Sequence, residues 1–296
     1  MHFSLPENAV FQNFDLSAVS SMRTGGRAAY ALFPENKEML RDAFFEAKES
    51  GLSVVLAGGT SNLLFPDDAS RLCVIFTKRM TSPLTFDRTL VTAGCGVMLP
   101  YLSKEAAKRG LSGLEFACGI PGTVGGALFM NAGAYGGETG QIVKDVTVLS
   151  KKDGTFSRLS AADCAFSYRH TIFSENRDLC AVEATFSLRE GNEEEITARC
   201  RELLASRREK QPLEYPSCGS TFKRPEGNFA GKLIEDCGLK GFSIGGASVS
   251  EKHAGFVINR GGATSGDVLS LMRAVRERVF EKTGVMLEPE VEIIEG

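Results

Sequence analysis

The chain of 296 residues has no tryptophan, and only three histidines, at 2, 170 and 253. So few and so scattered, they do not suit a histidine-rich metal centre. The eight cysteines stand at 73, 95, 118, 164, 180, 200, 218 and 237, without a Cys-x-x-Cys pair. That spacing argues against both a zinc site and a disulfide framework. No window approaches the roughly 18 consecutive apolar residues of a membrane span. The opening Met1-His-Phe-Ser-Leu-Pro-Glu7 has neither a basic leader nor an apolar stretch, so no signal peptide is expected. The cysteines are then read as reduced thiols of a cytosolic protein. A net charge of −3, with no basic stripe, argues against a nucleic-acid binder. The densest basic cluster, from Arg199 to Lys210, is interleaved with Glu202 and Glu209 and reads as a solvated helix face. Neither an internal repeat nor a low-complexity segment is present.

What the chain does have is an apolar fraction of 43%, enough for real cores, and 32 glycines. Seven of the glycines fall between Gly119 and Gly137, together with Pro121 and Asn131. Such density marks left-handed turns or close backbone approach. One reading is a run of bare N–H groups near a helix start, which attracts a phosphate. The other is a glycine-rich surface loop. No Gly-Lys-Ser/Thr follows, so it is not a Walker loop, and the spacing is not the usual dinucleotide fingerprint. A second candidate cradle is Gly58-Gly-Thr-Ser-Asn-Leu-Leu64, delivered directly by the apolar run Leu52 to Ala57. Its alternative is an ordinary turn.

Apolar spacing and a closing Gly51 predict a helix over 37–50. Short apolar runs predict strands at 52–57, 72–76, 90–93, 143–149 and 180–188. A helix is expected over 99–109, closed by Gly110. Asp153-Gly154 predicts a hairpin returning through 155–159. The acidic run Glu190-Gly-Asn-Glu-Glu-Glu195 suggests a boundary, giving regions 1–190 and 191–296. Beyond it come helices at 194–210 and 229–237, strands at 247–249 and 255–259, and a helix capped by Ser265 or Asp267 and running to Lys282. Pro289 makes the closing segment 287–294 an extended edge.

Several polar residues stand in settings that suit chemistry. Arg169, beside Tyr168, has the planar fork that grips a carboxylate or phosphate; the alternative is a solvated surface arginine. Ser220 lies outside any Gly-x-Ser-x-Gly elbow, which disfavours an acyl-transfer role. Cys218 is a rival nucleophile or redox thiol, though no histidine neighbours it. Lys223 and Arg224 add charge beside the serine. Glu290 sits on an apolar terminal strand, where burial disfavours its ionised form; the alternative is a strand-end glutamate facing water.

Arg23-Thr-Gly-Gly26, Ala57-Gly-Gly-Thr-Ser-Asn-Leu-Leu64, Gly119-Ile-Pro-Gly-Thr-Val-Gly-Gly126, Asn131-Ala-Gly133, Tyr168-Arg169, Gly219-Ser220-x-Phe-Lys223, Ala230-Gly-Lys-Leu-Ile-Glu-Asp-Cys-Gly-Leu-Lys-Gly241, Lys252-His-Ala254 and Leu287-Glu-Pro-Glu-Val291 occur in this order. Together they resemble the UDP-N-acetylenolpyruvoylglucosamine reductases, flavoenzymes of bacterial peptidoglycan precursor synthesis, over nearly the whole chain. The resemblance implies an α+β protein. A vanillyl-alcohol-oxidase-type (PCMH-type) FAD-binding region of two α+β subdomains comes first, followed by an α+β domain for the UDP-sugar. It implies non-covalent FAD and NADPH as reductant. Gly58, Gly59, Thr60, Ser61, Asn62, Leu63 and Leu64 would bind the cofactor. So would Gly119, Ile120, Pro121, Gly122, Thr123, Gly125, Gly126, Asn131 and Ala132. It implies catalytic roles for Arg169, Ser220 and Glu290, with Ser220 as proton donor; Lys223 is a candidate cation to stabilise the serine's conjugate base. The short interval between Arg169 and Ser220 resembles the family branch without an inserted tyrosine loop. Tyr168, Lys223 and Arg224 are then the candidates for holding the UDP-sugar.

Two other functions are compatible with these residues. One is a flavin-dependent oxidase of a small alcohol or hydroxy acid on the same cofactor fold. The other is a nucleotide-binding regulatory protein without chemistry.

Overall fold

In the computed structural model, residues 3–296 are described. Residues 1 and 2, part of the stretch read for a leader and including His2, lie outside the described residues. The chain folds into two compact units, each of discontinuous sequence, a different partition from a single cut at 190/191. One holds the segments up to Phe11, Tyr30–Gly59 and Cys73–Arg207; the other holds Gln12–Ala29, Thr60–Leu72 and Arg208–Gly296.

Two sheets lie wholly or partly in the first unit. In one, the strands Val10–Asp15, Arg27–Leu32, Leu72–Phe76 and Ser53–Ala57 lie in that order, and Tyr30–Leu32 run parallel to Cys73–Ile75. Every residue of Leu72–Phe76 is buried, as an interior parallel strand requires. The helix Lys37–Glu49 starts where the Asn36 side chain accepts from the Met39 N–H. The other sheet is antiparallel, in the order Phe156–Ser160, Val143–Ser150, Leu179–Ser187, Leu90–Gly94 and Leu84–Asp87. Its first turn is the expected Asp153-Gly154: the Asp153 carboxylate accepts from the Thr155 N–H, and Gly154 has φ +76°. Against the strand Leu179–Ser187 packs a short helix, Val124–Met130, inside the glycine-rich stretch. Val91, Leu102, Val124, Leu128, Val146 and Phe186 are among the fully buried residues of this core.

The second unit packs the helices Ala230–Asp236 and Ser265–Thr283 around a three-stranded antiparallel sheet, Ser243–Ile244, Ala247–Val249 and Val257–Asn259. A parallel pair joins Leu63–Leu64 to Glu292–Ile293. The long helix is capped one residue earlier than the sequence suggests. Thr264 accepts from the Asp267 N–H while the Asp267 carboxylate accepts from the Thr264 N–H, a capping box in which Asp267 is the third helical residue. Met22 and Leu64 are buried in this core beside Ile234, Leu271 and Val279.

Candidate active site

In the first unit the two glycine-rich stretches meet. A Cβ built on Gly58 would lie 2.4 Å from Thr123 Oγ1, and one on Gly59 3.3 Å from Gly122 Cα. A side chain on Gly58 would collide with the Thr123 hydroxyl, and one on Gly59 would press on the Gly122 backbone. The amides of the second stretch are less bare than the sequence suggests. Ile120 donates to Ala117 O, Gly122 to Ile120 O, Val124 to Val97 O and Gly125 to Cys95 O, while Gly126 donates to Thr123 Oγ1. These five N–H groups hold the loop together and are not donors to a bound anion. Gly125 serves close packing here, since a Cβ on it would come within 3.0 Å of Cys95 Cβ. Pro121 is exposed, and Ala132 continues the chain with its N–H on Ala127 O.

Asn131 ends the helix Val124–Met130 in the left-handed region, at φ +43°. Its side chain, 1% exposed, donates to Ser167 O at 2.9 Å and accepts from the Gly140 N–H at 2.8 Å. Ser167 and His170 exchange backbone hydrogen bonds at 3.0 and 3.2 Å, enclosing a two-residue turn of Tyr168 and Arg169. Arg169 is left-handed at φ +53°, which costs a non-glycine residue energy that its surroundings must offset. Its guanidinium lies 5.5 Å from the centre of the exposed Tyr168 ring.

In the second unit, Thr60 also adopts φ +58° and is buried; its hydroxyl donates to Val19 O and accepts from the Ser21 N–H. Ser61 beside it is half-buried. Asn62 braces the terminal strand: its side chain donates to Glu290 O at 3.0 Å and its carbonyl accepts from the Glu292 N–H. On the other side, the Glu290 N–H donates to Thr221 O at 2.8 Å, the Lys223 N–H donates to Glu288 O, and Phe222 faces Pro289. Glu290 is therefore bound opposite the residue next to Ser220, and both side chains are half-buried. Thr221 is fixed in turn, donating from its N–H to Gly255 O and accepting from the Val257 N–H on its hydroxyl.

The structure thus sets Glu290 opposite Thr221, the residue after Ser220, in the second unit, while Arg169 belongs to the first unit. Lys223 Nζ stands 3.4 Å from Glu288, so its charge is already shared, and the Arg224 guanidinium lies over the Phe229 ring at 4.8 Å. Cys218 is no nucleophile. It is buried, its thiol donates to Leu63 O at 3.2 Å, and burial pushes its pKa up to about 12. All eight cysteines are free, and the described residues contain no cluster of three or more metal-ligating side chains. No helix among the described residues is long and apolar enough to cross a membrane. One cation escaped the sequence reading. Arg207, counted there with a solvated face, lies against Gly119, whose Cβ would come within 3.0 Å of Arg207 Cδ. Burial lowers its pKa, opposed by the nearby Tyr135 and Cys118.

Residues 28–160 match a family model described as an FAD binding domain, and residues 211–294 match the C-terminal domain of UDP-N-acetylenolpyruvoylglucosamine reductase. A UDP-N-acetylenolpyruvoylglucosamine reductase of Lactobacillus delbrueckii subsp. bulgaricus is 44% identical over 284 residues, covering 96% of this chain and 94% of its own. The chain belongs to the UDP-N-acetylenolpyruvoylglucosamine reductase family. The family member from Caldicellulosiruptor bescii is 43% identical over 281 residues, covering 94% of this chain and 88% of its own. Among solved structures, the reductase from Thermus caldophilus superposes with a TM-score of 0.80 at 34% identity, covering 97% of this chain and 98% of its own. The FAD binding domain match and the family together give FAD as the cofactor.

Proposed function

We propose that this chain reduces UDP-N-acetylglucosamine enolpyruvate to UDP-N-acetylmuramate, a step of peptidoglycan precursor synthesis, through Arg169, Ser220 and Glu290. NADPH is the reductant and FAD the cofactor. When bound, FAD supplies a hydride for the terminal methylene of the enolpyruvyl ether. Gly58 to Ser61, Leu63, Leu64, Gly119 to Thr123, Gly125, Gly126 and Ala132 form its cradle, while the Asn62 and Asn131 side chains, expected there from the sequence, brace backbone instead.

The chain's own groups then handle the charge that develops on the substrate. The carboxylate next to the reacting carbons becomes the electron sink, and the Arg169 fork holds it bidentately. Ser220 delivers a proton to the neighbouring carbon; a positioned acid of this kind is worth about 10²- to 10⁴-fold in rate. Glu290 stabilises the same group from the adjoining strand. Tyr168, Lys223 and Arg224 hold the UDP-sugar. The carrying observation is the ladder in which Glu290, from the far end of the chain, pairs with Thr221, the neighbour of Ser220 in sequence.

Replacing Ser220 with alanine tests this directly. Anaerobic NADPH still bleaches the flavin, whereas the enolpyruvyl sugar no longer reoxidises it. If Ser220→Ala supports both half-reactions, the assignment of Ser220 is wrong. An oxidase would instead be reoxidised by oxygen and ignore the sugar.

A further inference from the structure

We propose that Asn131 and Thr171 are positioning residues that clamp the Tyr168–Arg169 turn to the end of the helix Val124–Met130 and so aim the Arg169 guanidinium. The inference rests on the proposed role of Arg169. The turn has two flanks, and each is tied to the same helix end. On one flank, the Asn131 amide donates to Ser167 O at 2.9 Å. On the other, Thr171 Oγ1 donates to Phe129 O at 2.9 Å while accepting from the Phe173 and Ser174 N–H groups. Both side chains are buried, Asn131 at 1% and Thr171 at 0% exposure, so water does not compete for these bonds. Asn131 is itself held by the Gly140 N–H, and the helix packs on the strand Leu179–Ser187. The left-handed Arg169 stands in a two-residue turn closed by the Ser167–His170 bridge. The fixed points are Asn131 and Thr171, a buried amide on one side of the Ser167–His170 bridge and a buried hydroxyl one residue outside it on the other.

The chemistry of the clamp is asymmetric, which makes it testable with near-isosteric changes. Asn131→Asp keeps the acceptor for Gly140 and tolerates positive φ, but sets a carboxylate oxygen against Ser167 O. Thr171→Val removes the donor to Phe129 O, whereas Thr171→Ser keeps it. The FAD-loaded variants are purified, their flavin content and thermal midpoint measured, and the two half-reactions followed anaerobically. Asn131→Asp and Thr171→Val are expected to retain flavin and NADPH-driven reduction within about twofold, while reoxidation by saturating enolpyruvyl sugar slows about 10- to 100-fold. Thr171→Ser restores most of the loss. In an Arg169→Ala background, Asn131→Asp adds less than about twofold, because both changes act through one group.

Flavin loss, an equal slowing of both half-reactions, or full additivity with Arg169→Ala overturns the proposal and makes the clamp general architecture. So does a failure of both Asn131→Asp and Thr171→Val to fold while Thr171→Ser folds with unchanged kinetics. If Arg169→Ala leaves reoxidation untouched, the role of Arg169 itself falls. If Arg169→Ala slows reoxidation and the clamp variants do not, only the positioning proposal falls.

Discussion

Asparagines 62 and 131 both look like ligands in the sequence, each carrying an amide inside a glycine-rich stretch. In the fold their side chains brace backbone: Asn62 at Glu290 O, Asn131 at Ser167 O and the Gly140 N–H. A sequence shows that an amide is present but not which carbonyl, dozens or hundreds of positions away, it will meet. Arg169, Ser220 and Glu290 stand out because each interrupts an ordinary local pattern, which needs no partner to be seen. His253 carries a consequence at this scale. Its ring accepts from the Gly255 N–H at 3.1 Å and meets Phe256 edge-on, and burial lowers its pKa below the ordinary 6.5. Lys240 pushes in the same direction and Glu235 opposes it. The unfolded chain then binds the proton more readily than the folded one. The stabilisation is fully present above pH 6.5 and is lost as pH falls through that value toward the lower folded pKa. His253→Asn offers an acceptor without a titrating proton. Denaturant titrations across this range are expected to show a shallower acid-side loss for the variant, and identical slopes would refute the account.

Among the elements, those written in local chemistry are legible. The helix Lys37–Glu49, the wholly buried strand Leu72–Phe76 and the hairpin at Asp153-Gly154 follow from periodicity, apolar runs and turn residues. The strand Arg27–Leu32 is not legible. Its Arg-Ala-Ala-Tyr-Ala-Leu lacks β-branched residues, and it becomes a strand through the parallel pairing of Tyr30–Leu32 with Cys73–Ile75. Val10–Asp15 is also hard to see: half polar, mostly exposed, and the outermost strand of its sheet. Cap assignment needed the structure too, since Thr264, Ser265 and Asp267 are all plausible caps by composition. With Thr264 as the cap, Thr264→Ala is expected to destabilise the second unit by about 1 kcal/mol, whereas Ser265→Ala costs much less. Chemical denaturation of the two variants decides between the assignments.

For the molecule as a whole, the acidic run at Glu190 to Glu195 marks the head of the helix Glu193–Lys210, not the edge of a self-contained piece. The second unit draws its core from both ends of the chain. Met22 and Leu64 are buried in it, Asn259 donates to Met22 O, and Asp67 accepts from the Ser265 and Gly266 N–H groups at the start of the long helix. A fragment of residues 208–296 alone lacks all of these. It is expected to show no cooperative thermal transition and to bind a hydrophobic dye, while the full chain melts sharply. A folded fragment with a sharp melt would show that the amino-terminal segments are dispensable.

The parallel pairing of Leu63–Leu64 with Glu292–Ile293 also sets a timetable during translation. At about 5–20 residues per second, a ribosome needs roughly 10–50 s to reach the second strand after making the first. Throughout that interval the two leucines have no mate, and the newborn polypeptide carries a sticky seam that chaperones must shield or that slow synthesis would expose to aggregation.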